Sequence, residues 1–258
     1  MEYMENGIYH RQKTFKTTKI SLQSLQTQLL SNYLQIKKTI SSCEKSLLIL
    51  DLDGTLIDNH HRQYKIYQNH IETIIPSLKR ENIRKKWLNP LRPYSILSLL
   101  SPLISNKEKF KEIQQIFLRE FLSPKYLVYD KIYPGVDDFI RWADFHSFHL
   151  QFLTGRYKDT MEKMTKDFLL THIPQLTQIS FDLILKKHFA QTDLIFKQFF
   201  FQELASNSRD HVVGLIDNEA DICNLAKNYF PSSLIIQFVS QQSNQNFFPG
   251  LKLSSWKF

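Results

Sequence analysis

Cysteine is nearly absent from this chain of 258 residues: only Cys43 and Cys223 occur, one ahead of a predicted strand and one inside a predicted helix. Two thiols so placed give no disulfide framework and no cysteine metal site, and both read as buried thiols of a reducing compartment. Glycine is also scarce, six residues beside nine prolines, which excludes a flexible or low-complexity chain. Nowhere do roughly 18 apolar residues run together, so no membrane-spanning helix is expected. The polar stretch Met1 to Lys19, with Arg11, Lys13, Lys16 and Lys19, lacks the apolar centre of a secretory signal. A cytoplasmic location is the resulting expectation.

What is present suits a folded α/β protein. Hydrophobic residues make up 42% and charged residues 22%, near globular averages, and the length fits one core domain plus an insertion. The net charge of +8 is local: residues 61–131 hold 14 basic and 6 acidic side chains, and the two flanking stretches together are neutral.

Periodicity predicts a leader helix over Ile20 to Ile40, then a short apolar strand, Leu47 to Leu50, of the kind buried on both faces of a parallel sheet. The basic stretch reads as helices over Tyr64 to Trp87, Ile96 to Ile104 and Lys107 to Leu122, with prolines between them and no strand pattern. Strand and helix then alternate. Strands are expected at His149 to Leu153, Ile179 to Leu185, His211 to Ile216 and Leu234 to Phe238. Helices follow Gly135, Tyr157, Gln191 and Asn218. This alternation argues for a doubly wound parallel sheet, with 61–131 inserted as helices between its first two strands.

Four motifs sit at predicted strand or helix ends. Asp51-Leu52-Asp53-Gly54-Thr55 follows the first strand, where the carboxyl ends of an open parallel sheet line the ligand crevice. Two carboxylates this close imply a cation or a shared proton. Magnesium would neutralise phosphate oxygens, leaving Asp51 to attack phosphorus and Asp53 to move a proton. Thr154 and Gly155 end the second strand with a hydroxyl and open backbone N–H groups, suited to an anion and also to an ordinary turn. Lys197, one turn into its helix, is the preferred phosphate-binding lysine, with Lys186 and Lys187 as rivals. Asp217 ends a further strand, and Asp221 lies one helical turn later, so both can approach one cation; Asp217 or Asn218 capping the next helix is the bland alternative.

Together these residues resemble the haloacid dehalogenase-like hydrolase superfamily, whose first motif Asp-x-Asp-Gly-Thr is matched by Asp51 to Thr55. The resemblance covers about residues 46–240 and implies a Rossmannoid α/β core over 46–60 and 132–258, an N-terminal helical extension over 1–45 and a helical cap over 61–131. It implies that Asp51 is nucleophile and magnesium ligand. Asp53 is acid/base and a ligand through its carbonyl, Thr154 and Lys197 bind phosphate, and Asp217 completes the metal site. The second aspartate marks phosphatases and phosphomutases and is missing from members that cleave carbon–halogen bonds. Ile216 departs from the pattern, standing where many relatives have glycine.

The expected activity is that of a magnesium-dependent phosphatase acting on a small phosphorylated molecule or a phosphoprotein, with a phosphomutase as the minor variant. The bases of the insertion, including Arg80, Arg84, Lys85, Lys86 and Arg92, favour a substrate with negative charge beyond the scissile phosphate, unless they form a solvated face. The insertion's aromatics, Tyr64, Tyr67, Trp87 and Tyr94, read as core ahead of stacking surface. A second class is a basic interaction protein on a spent hydrolase scaffold, binding a polyanionic partner. Nucleic acid is the less favoured partner.

Overall fold

The apolar run Leu47 to Leu50 is buried on both sides of a sheet. Leu48 and Leu50 enter one hydrophobic cluster and Leu47 and Ile49 the other, as strand alternation requires when both faces are covered. The computed structural model describes residues 17–38, 45–75, 80–89, 95–206, 210–239 and 248–257. Cys43, Arg92 and Tyr94, the segment 1–16, and the Arg80 side chain lie outside that description.

The chain opens with β1 (Thr18–Ile20), α1 (Leu22–Lys37) and β2 (Lys45–Leu50). After β2 come β3 (Ile57–Asp58) and α2 (His60–Ile66), which runs on as a π-helical turn over Tyr67–Ile71. Then follow α3 (Arg80–Trp87), α4 (Ile96–Leu100), α5 (Lys107–Phe121), a 3-10 segment at Pro124–Tyr129, and β4 (Lys131–Ile132). The rest alternates: α6 (Val136–Phe145), β5 (His149–Tyr157), α7 (Lys158–His172), β6 (Phe181–Lys186), α8 (Asp193–Ser206), β7 (Asp210–Asp217), α9 (Ala220–Tyr229), β8 (Leu234–Phe238) and β9 (Leu251–Leu253).

The main sheet has seven strands in the order β1-β9-β8-β7-β2-β5-β6, and every pairing in it is parallel. Helices α1, α6 and α7 supply the cluster on one face, and α8 and α9 that on the other. This is the expected doubly wound α/β architecture. The leader helix packs into the core: Leu22, Leu25, Leu29 and Tyr33 are buried, Ser21 caps its start by accepting from Ser24 N at 3.1 Å, and Asn32 Nδ2 donates to Val213 O at 2.7 Å.

Two features escape periodicity. β1 and β9 have three residues each and form an edge, and β3 pairs β4 antiparallel through two residues each, at the stem of the insertion. Strands this short show no repeating pattern. The stretch from Tyr64 to Trp87, helical by its pattern with Pro76 as a breaker, comprises the end of α2, the π turn and α3. The insertion has its own core, in which Tyr67 and Trp87 are fully buried and Tyr64 packs at the margin, so these aromatics serve packing.

Trp256 joins the chain beyond β9 to the first motif. It stacks on Phe238 with centroids 5.2 Å apart, and its Nε1 donates to Thr55 O at 2.8 Å. Trp256→Ala is expected to lower unfolding free energy by about 3–5 kcal/mol, and Trp256→Phe, which keeps the stack, by clearly less. Urea denaturation of both variants checks the ordering.

Candidate active site

The strand order puts β2 between β7 and β5, so the carboxyl ends of three adjacent central strands bring Asp51, Asp217 and Thr154 to one edge. Asp51 N donates to Ile216 O at 3.0 Å, which fixes its level against β7. From α8, Lys197 Nζ reaches both carboxylates, donating to Asp51 Oδ1 at 2.8 Å and to Asp217 Oδ2 at 2.7 Å. All three side chains are buried. Thr55 Oγ1 donates to the other oxygen of Asp51 at 2.9 Å. Asp217 spends its second oxygen on Glu219 N at 2.8 Å, so the same carboxylate faces the site and holds the turn that leads into α9.

Electrostatics follow from that packing. Burial pushes the Asp51 carboxyl well above its ordinary value; Lys197 opposes this and Asp217 reinforces it. Burial alone would lower the Lys197 ammonium, but Asp217 and Asp51 hold it well above its usual range. One ammonium between two carboxylates leaves a net negative charge on hard oxygen donors, and that donor set fits magnesium. Among the described residues no three acidic, histidine or cysteine side chains converge as a metal site. A cation here would therefore be held by Asp51 and Asp217, with carbonyl and water oxygens completing its shell.

Asp53 points toward two arginines. Arg156 grips it through both ends of its guanidinium, Nε to Oδ2 at 2.7 Å and a terminal nitrogen to Oδ1 at 2.9 Å, while Arg62 also donates to Oδ1. The same arginines hold Asp130, at 2.8 Å from Arg156 and 3.1 Å from Arg62 Nε. Burial would raise the Asp53 carboxyl, but Arg156 and Arg62 outweigh it and hold it well below its ordinary value. Asp130, fully enclosed and with the poorer share of the arginines, is pushed up by burial to about 6.

The remaining candidates fall at different distances from this centre. Thr154 and Gly155 line the cavity above Asp51, and a Cβ on Gly155 would lie 2.0 Å from Asp193 Oδ2, so a larger residue there must displace the Asp193 side chain. Gly54 has φ of +86° and passes close to Asn218, a place for glycine. Of the rival lysines, Lys186 is buried at the cavity wall and pairs with Asp193 at 2.8 Å, and Lys187 lines a separate surface groove. Asp221 is exposed on α9, while Asn218 and Glu219 line the cavity. Of the bases once linked to substrate charge, Arg84, Lys85 and Lys86 are exposed on α3. Sequence reading missed Arg62, Asp130 and Asn59; Arg156 alone had a local signal, following the Thr-Gly of the second motif.

Arg62→Met is expected to cost about 3–5 kcal/mol, because it strands Asp53 and Asp130 beside a single guanidinium. The double variant Arg62→Met/Asp130→Leu should recover part of that loss in urea denaturation. For Asp53, depressed on folding, the contribution is full above the unfolded value of 3.8 and fades as pH falls further; Asp130, raised to about 6, contributes fully below 3.8 and loses that contribution as pH rises through about 6, and urea denaturation across about pH 3–7 reads the balance.

No protein-family model matches the sequence, and no curated protein matches it. Solved structures do. A haloacid dehalogenase-like family hydrolase from Streptococcus pneumoniae aligns with a TM-score of 0.53 at 16% identity, over 82% of this chain and 95% of that one. A protein described as a predicted phosphatase from Clostridium acetobutylicum gives 0.53 at 16% identity, over 82% and 94%. Protein tyrosine kinase A from Mycobacterium tuberculosis gives 0.56 at 11% identity, over 79% and 88%. By strand order, helix placement and these likenesses, the chain has the haloacid dehalogenase-like α/β fold, with a helical insertion between its first two core strands.

Proposed function

We propose that the protein is a magnesium-dependent phosphatase that forms an aspartyl-phosphate on Asp51. The fold alone does not decide the chemistry, since one structural neighbour is named a kinase and others hydrolases. The observation that carries the reading is the convergence of Asp51, Lys197 and Asp217 beneath a cavity lined by Thr154 and Gly155.

Asp51 attacks phosphorus, and the bond from phosphorus to the ester oxygen breaks. Lys197, the Thr154 hydroxyl and the backbone N–H of Gly155 hold the phosphoryl oxygens while charge shifts onto them. Magnesium, when bound by Asp51 and Asp217, neutralises that charge. Water then hydrolyses the aspartyl ester. Asp53, kept ionised by Arg62 and Arg156, is set to accept the proton of that water and pass it to solvent, while the departing oxygen takes its proton from solvent. The insertion acts as a cap that keeps bulk water from the ester.

With 4-nitrophenyl phosphate and magnesium, turnover is expected. Chelation should abolish it, added magnesium should restore it, and Asp51→Asn should lower kcat by roughly 10³-fold or more. Turnover that survives Asp51→Asn would remove the carboxylate from its role.

A further inference from the structure

The cavity over Asp51 is roofed by the helical insertion, and the roof is mainly apolar. Leu97 of α4, Phe117, Leu118 and Phe121 of α5, and Leu122 just after it face the carboxylates across about 240 Å³. Phe117 and Phe121 stack with centroids 5.4 Å apart, and the Arg62 guanidinium lies 3.9 Å from the Phe121 ring, so this wall is braced from behind.

The polar groups at the cap side are few, Asn59, Gln63 and Ser95, and each spends part of its hydrogen-bonding capacity within the protein. Asn59 donates to Asp53 at 3.3 Å and accepts from Gln63 at 2.8 Å, Gln63 Oε1 accepts from Ile96 N at 3.0 Å, and Ser95 Oγ accepts from Leu97 N at 3.2 Å. Among the described residues of the insertion, no lysine or arginine lines the cavity. Lys85 instead pairs with Glu81 on the outside of α3, its side chain 73% exposed. The described lysines and arginines of the insertion thus do not line the place where a leaving group would sit.

A sugar or nucleotide pressed against these leucines and phenylalanines would lose its water without gaining partners. The space is also small, below the roughly 300–1,000 Å³ of sites that take drug-sized ligands. It admits a phosphoryl group and one ring. We propose that the substrate is a phosphate monoester whose alcohol or phenol part is a compact apolar ring, seated against Leu97, Leu118 and Phe121. This rests on the phosphatase reading above and names the substrate class for the same site. An aromatic ring gains most there, through edge contacts with Phe121, whose faces meet Arg62 and Phe117.

The test compares benzyl phosphate with ribose 5-phosphate and adenosine monophosphate, all three esters of primary alcohols, so that leaving-group basicity is similar and binding decides. Wild-type kcat/KM is expected to be at least tenfold higher for benzyl phosphate, mainly through a lower KM. Leu118→Gln, at a half-exposed position that leaves the fold intact, and Leu97→Gln should each shrink that ratio several-fold. A preference for ribose 5-phosphate or adenosine monophosphate, with turnover still lost in Asp51→Asn, overturns the substrate class and spares the phosphatase reading. A benzyl preference unmoved by both variants overturns the proposed seat. No turnover of any ester overturns the phosphatase reading itself.

Discussion

An ammonium wedged between two buried carboxylates is the interaction on which the rest of the molecule turns. Lys197 comes from α8, Asp51 from β2 and Asp217 from β7, so the contact ties one helical layer to the two central strands at their carboxyl ends. Three charges out of water are tolerable only because each has a partner, and removing any one would leave the others exposed to the low dielectric. Burial, with Asp217 beside it, raises the Asp51 carboxyl, and the arrangement is short of one positive charge, a deficit that a divalent cation would fit. Structural need and chemical capacity arise from the same imbalance.

A second ionic cluster governs the insertion. Arg62 belongs to α2, just inside the insertion, and Asp130 stands where the chain returns to the core; both converge with Arg156 on Asp53. With two arginines and two aspartates the quartet is neutral, and it joins both stems of the insertion to the second aspartate of the motif. Any swing of the roof would therefore be felt at Asp53, since Arg62 cannot move away without weakening its hold.

Much of this was legible in the sequence, for identifiable reasons. Leu47 to Leu50 announced a doubly buried strand because parallel central strands must be apolar on both faces. Asp51, Thr154 and Asp217 could be placed because each directly follows such a strand. Lys197 could be preferred over Lys186 only by counting turns, and the structure brings Lys197 to the two carboxylates while Lys186 pairs with Asp193. Arg62 and Asp130 were invisible because their partner is remote in sequence and an isolated arginine carries no periodic signal. The edge strands were missed since three residues cannot show alternation. The charge of the insertion was plain, but which face it occupied depended on helix packing that composition does not encode.

The pairing of β1 with β9, together with the indole of Trp256 on the Thr55 carbonyl, has a consequence for biosynthesis. Residues 18–20 find their strand neighbour only after residues 251–253 have been made, and the Thr55 carbonyl gains its bond from Trp256 later still. Contacts of such long sequence separation close slowly. A chain with its first helices already formed would thus carry the Asp51–Thr55 loop without these contacts until residues 251–256 have been made.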